Sequence, residues 1–334
     1  MAKSKAKSKN KPEKIFITGG LGFVGSFLCK RFLDAGDSVV VYDALRSFVS
    51  PLVDPHFATY MRHRFEGLEG KIEVVQGDIQ DYSRLRDALR AAKPDRVVHL
   101  ASFPISDLAD QYPHEGVSVI FNGAHNALDA VKDLGIKRFV LISSSMVYGN
   151  FRYKPCDEKH PTDPIGVYGA AKLASEVMTR MYAKRFNFPF TIIRPSAIYG
   201  PTDCNRRVVQ IFIDNAMKGK PIVLHDGGSG ELDFSYVEDV ADGLFLATKK
   251  EEAKNEVFNL TRGEGRSLKE LAGIVKQYFP KVKIVDKPTS LENRRPSRGA
   301  LDITKAKKML GYQPRVSLEK GVKKYISFLK GHNV

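Results

Sequence analysis

Lys14 to Gly25 reads KIFITGGLGFVG. A five-residue run with a β-branched, apolar centre (Lys14–Thr18) ends in Gly19, Gly22 and Gly25, spaced three apart, and a helix-like stretch over 23–35 follows. A pyrophosphate can bind there because the glycines let it approach the backbone and the helix N-terminus closely. A glycine turn that binds nothing is the competing reading, and the strand–loop–helix context weighs against it.

Working outward, the same alternation repeats. Strands are expected at 38–42, 72–76, 96–100, 139–143 and 190–194, with helices at 83–92, 117–134 and 168–185. The strands are continuous apolar runs rather than in/out alternations, which argues for a parallel sheet buried on both faces. The expected fold is therefore α/β, a Rossmann-type doubly wound parallel sheet over 14–195 with a smaller, mixed C-terminal substrate lobe over 196–334. Within that lobe, helices are expected near 207–218, 267–278 and 303–310, and the segment 234–250 has the strand-then-helix character to return to the first sheet.

The chain has 334 residues, 43% hydrophobic and 27% charged, the balance of an ordinary soluble protein. It contains no apolar run approaching the ~20 residues of a membrane span. Residues 1–14 carry six Lys against Glu13, and 196–334 hold 25 Lys+Arg against 17 Asp+Glu; together these account for most of the +15 net charge. Residues 1–13 are expected to be a disordered basic tail. Cys29, Cys156 and Cys204 have neither metal-ligand nor disulfide spacing, which suits a reducing cytoplasm.

Three further groups bear on chemistry. Asp43 ends the second strand 18 residues after Gly25, where an acid accepts hydrogen bonds from ribose hydroxyls and repels a 2′-phosphate, favouring NAD over NADP; Arg46 nearby opposes that preference. Ser143-Ser144-Ser145 closes the fifth strand at the sheet edge where ligands bind. Tyr168 and Lys172, at i and i+4, share one helix face. An ammonium beside a phenol favours the phenolate, so the pair is a candidate general base. His99 reads as a structural histidine, and Tyr148 and Tyr199 suit packing and pocket roles equally.

Together these residues resemble the extended short-chain dehydrogenase/reductase family, in its nucleotide-sugar epimerase/dehydratase branch, UDP-glucose 4-epimerase-like. Gly77-Asp78-Ile79, His99-Leu100-Ala101, SSSMVYG (143–149), Arg194-Pro195, Tyr199-Gly200-Pro201 and Leu310–Pro314 appear in the family's order, so the likeness spans roughly 14–328. The resemblance implies that Gly19, Gly22, Phe23, Val24 and Gly25 hold the pyrophosphate, Asp43 the ribose, and Asp78 and Ile79 the adenine. Leu100, Ala101, Ser143 and Pro195 would line the cofactor. Tyr168 would be the base, with Lys172 lowering its pKa and holding the nicotinamide ribose. Counting back four from Tyr148 makes Ser144 the catalytic hydroxyl. Ser144, Ser145, Met146, Tyr168, Ser196, Arg206, Arg207 and Arg295 would meet the substrate, and helices matching 117–134 and 168–185 would build a homodimer.

Departures from the family pattern narrow the reaction. Dehydratases carry acids immediately after the catalytic hydroxyl, and related decarboxylases a Glu at the second position; here these are Ser145 and Met146, neither a carboxylate. An Arg that pairs with the nucleotide diphosphate in many epimerases is Leu232, and two common Asn positions are Ala197 and Ile120. Arg206-Arg207 and Arg294, Arg295 and Arg298 could supply phosphate contacts instead. The favoured expectation is an NAD-dependent C4 epimerase of a nucleotide-activated sugar. An NAD-dependent dehydrogenase of a sugar derivative or other secondary alcohol is the alternative. A catalytically dead, nucleic-acid-binding member of the fold is a distant third.

Overall fold

The computed structural model describes residues 11–45, 57–288 and 296–332. The chain opens with β1 (Lys14–Thr18), α1 (Phe23–Asp34), β2 (Ser38–Asp43), α2 (Phe57–Phe65), β3 (Ile72–Gln76), α3 (Tyr82–Ala92) and β4 (Arg96–His99). A helical run follows, α4 (Ser106–Gln111), α5 (Pro113–Val117) and α6 (Gly123–Val131), with a wide π turn at Ser118–Asn122. Next come β5 (Arg138–Ile142), α7 (Val167–Phe186) and β6 (Phe190–Arg194).

Beyond residue 195 lie β7 (Ile198–Tyr199), α8 (Val208–Met217), β8 (Ile222–His225), β9 (Glu231–Asp233) and β10 (Ser235–Tyr236). These are followed by α9 (Val237–Lys249), β11 (Glu256–Asn259), β12 (Gly265–Ser267), α10 (Leu268–Tyr278), β13 (Ile284–Lys287) and α11 (Leu318–Gly331).

The central sheet has seven parallel strands in the order β11-β6-β5-β4-β1-β2-β3. The apolar runs explain it: Ile15, Phe16 and Ile17 are fully buried, and alternate residues feed opposite cores. Phe16 joins Leu85, Leu89, Leu128 and Ala171 under α3, α6 and α7, while Ile15 and Ile17 join Leu28, Phe32, Val240 and Leu244 under α1 and α9. The strand order reverses between β1 and β4, so a crevice opens at their carboxyl ends, where such sheets bind ligands.

The expected return to this sheet goes further than residues 234–250. Helix α9 packs on α1, and β11, four residues of modest hydrophobicity, adds the seventh strand beside β6. Helices α2 and α11 were not legible either. Tyr60 and Arg64 are the buried residues of α2, a pairing that reads as polar. In α11, Gly321 interrupts a lysine-rich segment; its missing side chain makes room for the Tyr199 ring. The smaller lobe has its own core of Phe212, Ile213, Leu271, Val275, Tyr325 and Ile326. The basic tail expected over 1–13 lies outside the described residues up to residue 10.

Candidate active site

The glycine loop is shaped by contacts that forbid side chains. Gly19 has φ +71°, and a Cβ there would stand 2.7 Å from the Ala101 nitrogen. At Gly25 a Cβ would stand 2.5 Å from the Gly19 carbonyl oxygen and 2.7 Å from the Gly20 backbone, so α1 rests directly on the turn. Gly22 caps α1 without a side chain, leaving the first-turn N–H groups as an anion site. Asp43 sits beside this loop. Its Oδ2 accepts from Leu21 N (3.0 Å) and its Oδ1 from Leu45 N (2.9 Å). Burial raises its pKa, opposed by those two N–H donors and by Arg64. Asp78 accepts from Gln80 N at 3.0 Å, and its carbonyl from Tyr42 Oη at 2.9 Å. A cradle that only backbone can line, with a carboxylate at the end of β2, fits a dinucleotide with an unphosphorylated ribose.

Ser144, Tyr168 and Lys172 converge on the same cleft. Ser144 Oγ accepts from Met146 N (3.1 Å), capping the short turn 145–148, and shares the cleft with Tyr168. Tyr168 opens α7, where Gly169 lies against the Met146 carbonyl, locking the helix start onto that turn. Lys172 is buried. Its Nζ donates to the Ile142 carbonyl (2.8 Å) and lies 5.8 Å from the centre of the Tyr168 ring.

Burial raises the Tyr168 pKa, opposed by the field of Arg207. Lys172 is itself taken out of water, which pulls its pKa down to about 7 against the field of Glu176. Burial, then Lys172, pulls His99 down to about 3, so the imidazole is neutral; it is bonded to Thr18 Oγ1 at 2.9 Å.

The cleft has a volume of about 1780 Å³ and runs between the two lobes. Every sequence-derived site residue that is described lines it: the glycine loop with Phe23 and Val24, Asp43, Asp78, Ile79, Leu100, Ala101, Ser143 to Met146, Tyr168, Lys172, Pro195, Ser196, Arg206 and Arg207. Arg295, like Arg294 and Arg46, falls outside the described residues. Arg207 is held by Asp203 (2.7 Å) and donates to the Pro104 carbonyl (3.2 Å). Arg206 has φ +52°, and its backbone N–H donates to Gln210. Leu232 and Arg298 line the far end, and Lys154 and Glu231 pair there at 2.6 Å.

Tyr148 and Tyr199 are fully buried and do not line the cleft, so packing is the role they play. Tyr148 Oη donates to Asn259 Oδ1 (2.7 Å), and the Arg194 guanidinium lies 4.7 Å from the centre of its ring. Two residues escaped the sequence reading. Arg64 on α2 reaches the cleft and donates to the Thr202 carbonyl at 2.6 Å. Glu176 lies beneath the site, bonded to Ser143 and Arg194; its spacing of four beyond Lys172 was the available signal. Among the described residues no His/Cys/Asp/Glu group could hold a metal ion, and no helix is long and apolar enough to cross a membrane.

Comparison with known proteins agrees with this geometry. The model of the NAD dependent epimerase/dehydratase family matches residues 15–261. A putative UDP-glucose 4-epimerase of Methanocaldococcus jannaschii is 29% identical, with 96% of this chain and 99% of that protein covered. UDP-glucuronic acid decarboxylase 2 of Arabidopsis thaliana is 30% identical over 94% of this chain and 67% of its own length. Among solved structures, UDP-glucose 4-epimerase of Thermotoga maritima, determined with UDP-glucose, superposes with a TM-score of 0.86 at 27% identity, covering 96% of this chain and all of that one.

Proposed function

Because the chain belongs to the NAD-dependent epimerase/dehydratase family, we propose that it is an NAD-dependent epimerase of a nucleotide-activated sugar, inverting C4 through a transient 4-keto sugar. The observation that carries this reading is the convergence of Ser144, Tyr168 and Lys172 on one cleft, with Ser145 and Met146 directly after Ser144. The site holds a proton-transfer pair, and the two positions where dehydratases and decarboxylases carry acids have none. That argues against decarboxylation, although a UDP-glucuronic acid decarboxylase is 30% identical to this chain.

NAD, when bound, supplies hydride exchange. The residues supported as its holders are the glycine loop with Phe23 and Val24 at the diphosphate, Asp43 at the ribose, and Asp78 and Ile79 at the adenine. Leu100, Ala101, Ser143 and Pro195 line its path, and Lys172 holds the second ribose. Ser144 Oγ orients the sugar hydroxyl, and Tyr168 Oη takes its proton and returns it, a contribution of about 10²–10⁴-fold. Ser145, Met146 and Ser196 border the sugar, and Arg206 and Arg207 offer charge to the diphosphate in place of the missing Arg at 232. The same Leu232 favours the second reading, an NAD-dependent dehydrogenase that releases the ketone.

Exposed Val177 and Met181 on α7, with exposed Tyr112 and Val117 on the α4–α5 run that packs against α7, support a homodimer. The free, buried cysteines suit a reducing cytoplasm. The test is incubation with UDP-, GDP-, CDP- and dTDP-sugars, with products read by NMR. An epimer pair without NADH accumulation supports the proposal, and stoichiometric NADH indicates the dehydrogenase. Tyr168→Phe should bind NAD and lose turnover; an unchanged rate would refute the mechanism. Salt-sensitive duplex binding by a chain lacking residues 1–13 would instead revive the nucleic-acid reading.

A further inference from the structure

We propose that Glu176 is a positioning residue for the Tyr168–Lys172 pair: a buried carboxylate one helical turn behind Lys172 that keeps the lysine cationic and ties the strand ends carrying the site to α7. The proposal rests on the reading of Tyr168 and Lys172 as the proton-transfer pair.

The geometry is specific. Glu176 is fully buried and accepts four charge-assisted or hydroxyl hydrogen bonds. Ser143 Oγ donates to Oε1 at 2.6 Å, Arg194 Nε to Oε1 at 2.8 Å, Arg194 Nη2 to Oε2 at 2.6 Å, and Arg180 Nη2 to Oε2 at 3.0 Å. Arg194 therefore grips it with a two-pronged fork, the arrangement that holds a carboxylate most firmly. Burial alone would raise the Glu176 pKa, but Arg194, Ser143 and Arg180 hold it below the usual range, so the group is ionised.

These bonds converge on the site from both strands that frame it. Ser143 directly follows Ile142, whose carbonyl receives Lys172 Nζ, and precedes Ser144. Arg194 ends β6 and is followed by cleft-lining Pro195 and Ser196. Glu176 thus sets β5, β6 and α7 in one register, and its negative charge lies on the face of α7 that bears Lys172.

Other ionisable groups surround the lysine. His99 on β4 is neutral. Asp110 on α4 binds the Val167 N–H at the start of α7, and Glu115 on α5 lines the cleft. Arg207, just before α8, acts on Tyr168, and Arg194 is spent on Glu176. Among the described residues, Glu176 is the charge whose field opposes the desolvation of Lys172. A lysine losing its proton near neutrality would no longer present a cation to a ribose or phenolate, so the carboxylate behind it sets the pH range over which the site is assembled.

The experiment titrates Lys172 directly in the full chain, labelled with ¹³Cε-lysine and assigned with Lys172→Met, without nucleotide sugar. Wild type is expected to titrate near 7. In Glu176→Gln the midpoint should fall by about one pH unit, a tenfold loss of proton affinity. Because Glu176→Gln leaves Arg194 buried and unpaired, the pair is also replaced together as Glu176→Leu/Arg194→Met, which fills the same volume without charge. This variant, which loses the Arg194 cation together with the carboxylate, should show a smaller fall. Ser143→Ala, which keeps the carboxylate, should retain the wild-type midpoint. An unchanged midpoint in Glu176→Gln overturns the proposal, as does a fall in the double variant or in Ser143→Ala as large as in Glu176→Gln. If the epimerase reading fails, no variant turns over nucleotide sugar, yet the midpoints still decide this question.

Discussion

Asn259 offers a measurable link between the core and the catalytic turn. It ends β11, is fully buried, and uses its whole side-chain amide. Oδ1 accepts from Tyr148 Oη (2.7 Å), and Nδ2 donates to the carbonyls of Cys156 (2.9 Å) and Asp302 (3.2 Å). Tyr148 closes the turn 145–148 that Ser144 caps, so this amide anchors the turn from below. In Asn259→Leu, the Cys156 carbonyl keeps the Asp302 N–H at 2.8 Å, but the Asp302 carbonyl and the Tyr148 hydroxyl lose the amide as a partner. Two buried groups left unsatisfied at about 1–3 kcal/mol each give a loss of about 2–6 kcal/mol.

Removing both members of a pair costs less than removing one. Asn259→Leu/Tyr148→Phe should therefore be more stable than Asn259→Leu by about 1–2 kcal/mol. Urea unfolding followed by circular dichroism, with the slope unchanged between variants, reads these differences. A loss below about 1 kcal/mol for Asn259→Leu, or strict additivity in the cycle, would refute the account of the anchor.

Other outcomes follow from the same structure. Gly25→Ala should weaken NAD binding about 5- to 150-fold by calorimetry, since the added methyl meets backbone on the loop side and overpacking of this kind costs about 1–3 kcal/mol. Gly273→Ala in α10, where a Cβ meets open space, should instead stabilise by about 0.5–1 kcal/mol in the same unfolding assay. Glu13 is held down to about 2, where burial is outweighed by Arg96, Lys249 and Lys137. A depressed acid stabilises fully above its ordinary 4.5 and loses that contribution as pH falls towards 2, so Glu13→Gln should flatten the acid limb of the stability profile in that window. Val177→Asp/Met181→Asp should shift the sedimenting species from dimer to monomer without altering the melting of the protomer; an unchanged mass would place any interface elsewhere.

The fold and the cleft were largely legible in the sequence because their determinants are local. A glycine spacing, a strand followed by a helix, and an i,i+4 pair each carry their meaning within a dozen residues. The glycine loop, Asp43, Ser144, Tyr168 and Lys172 all line one cleft for that reason. What was hidden depends on partners far along the chain. Strand β11 joins the sheet through its pairing with β6 across the intervening lobe, and its own four residues mark it weakly. Arg207 adds to the field at Tyr168, and Glu176, held in place by Arg194 from another strand, adds to the field at Lys172. Spacing can place an ammonium near a phenol, but whether it acts on that phenol depends on burial and on distant charges, and these exist only once the chain has packed.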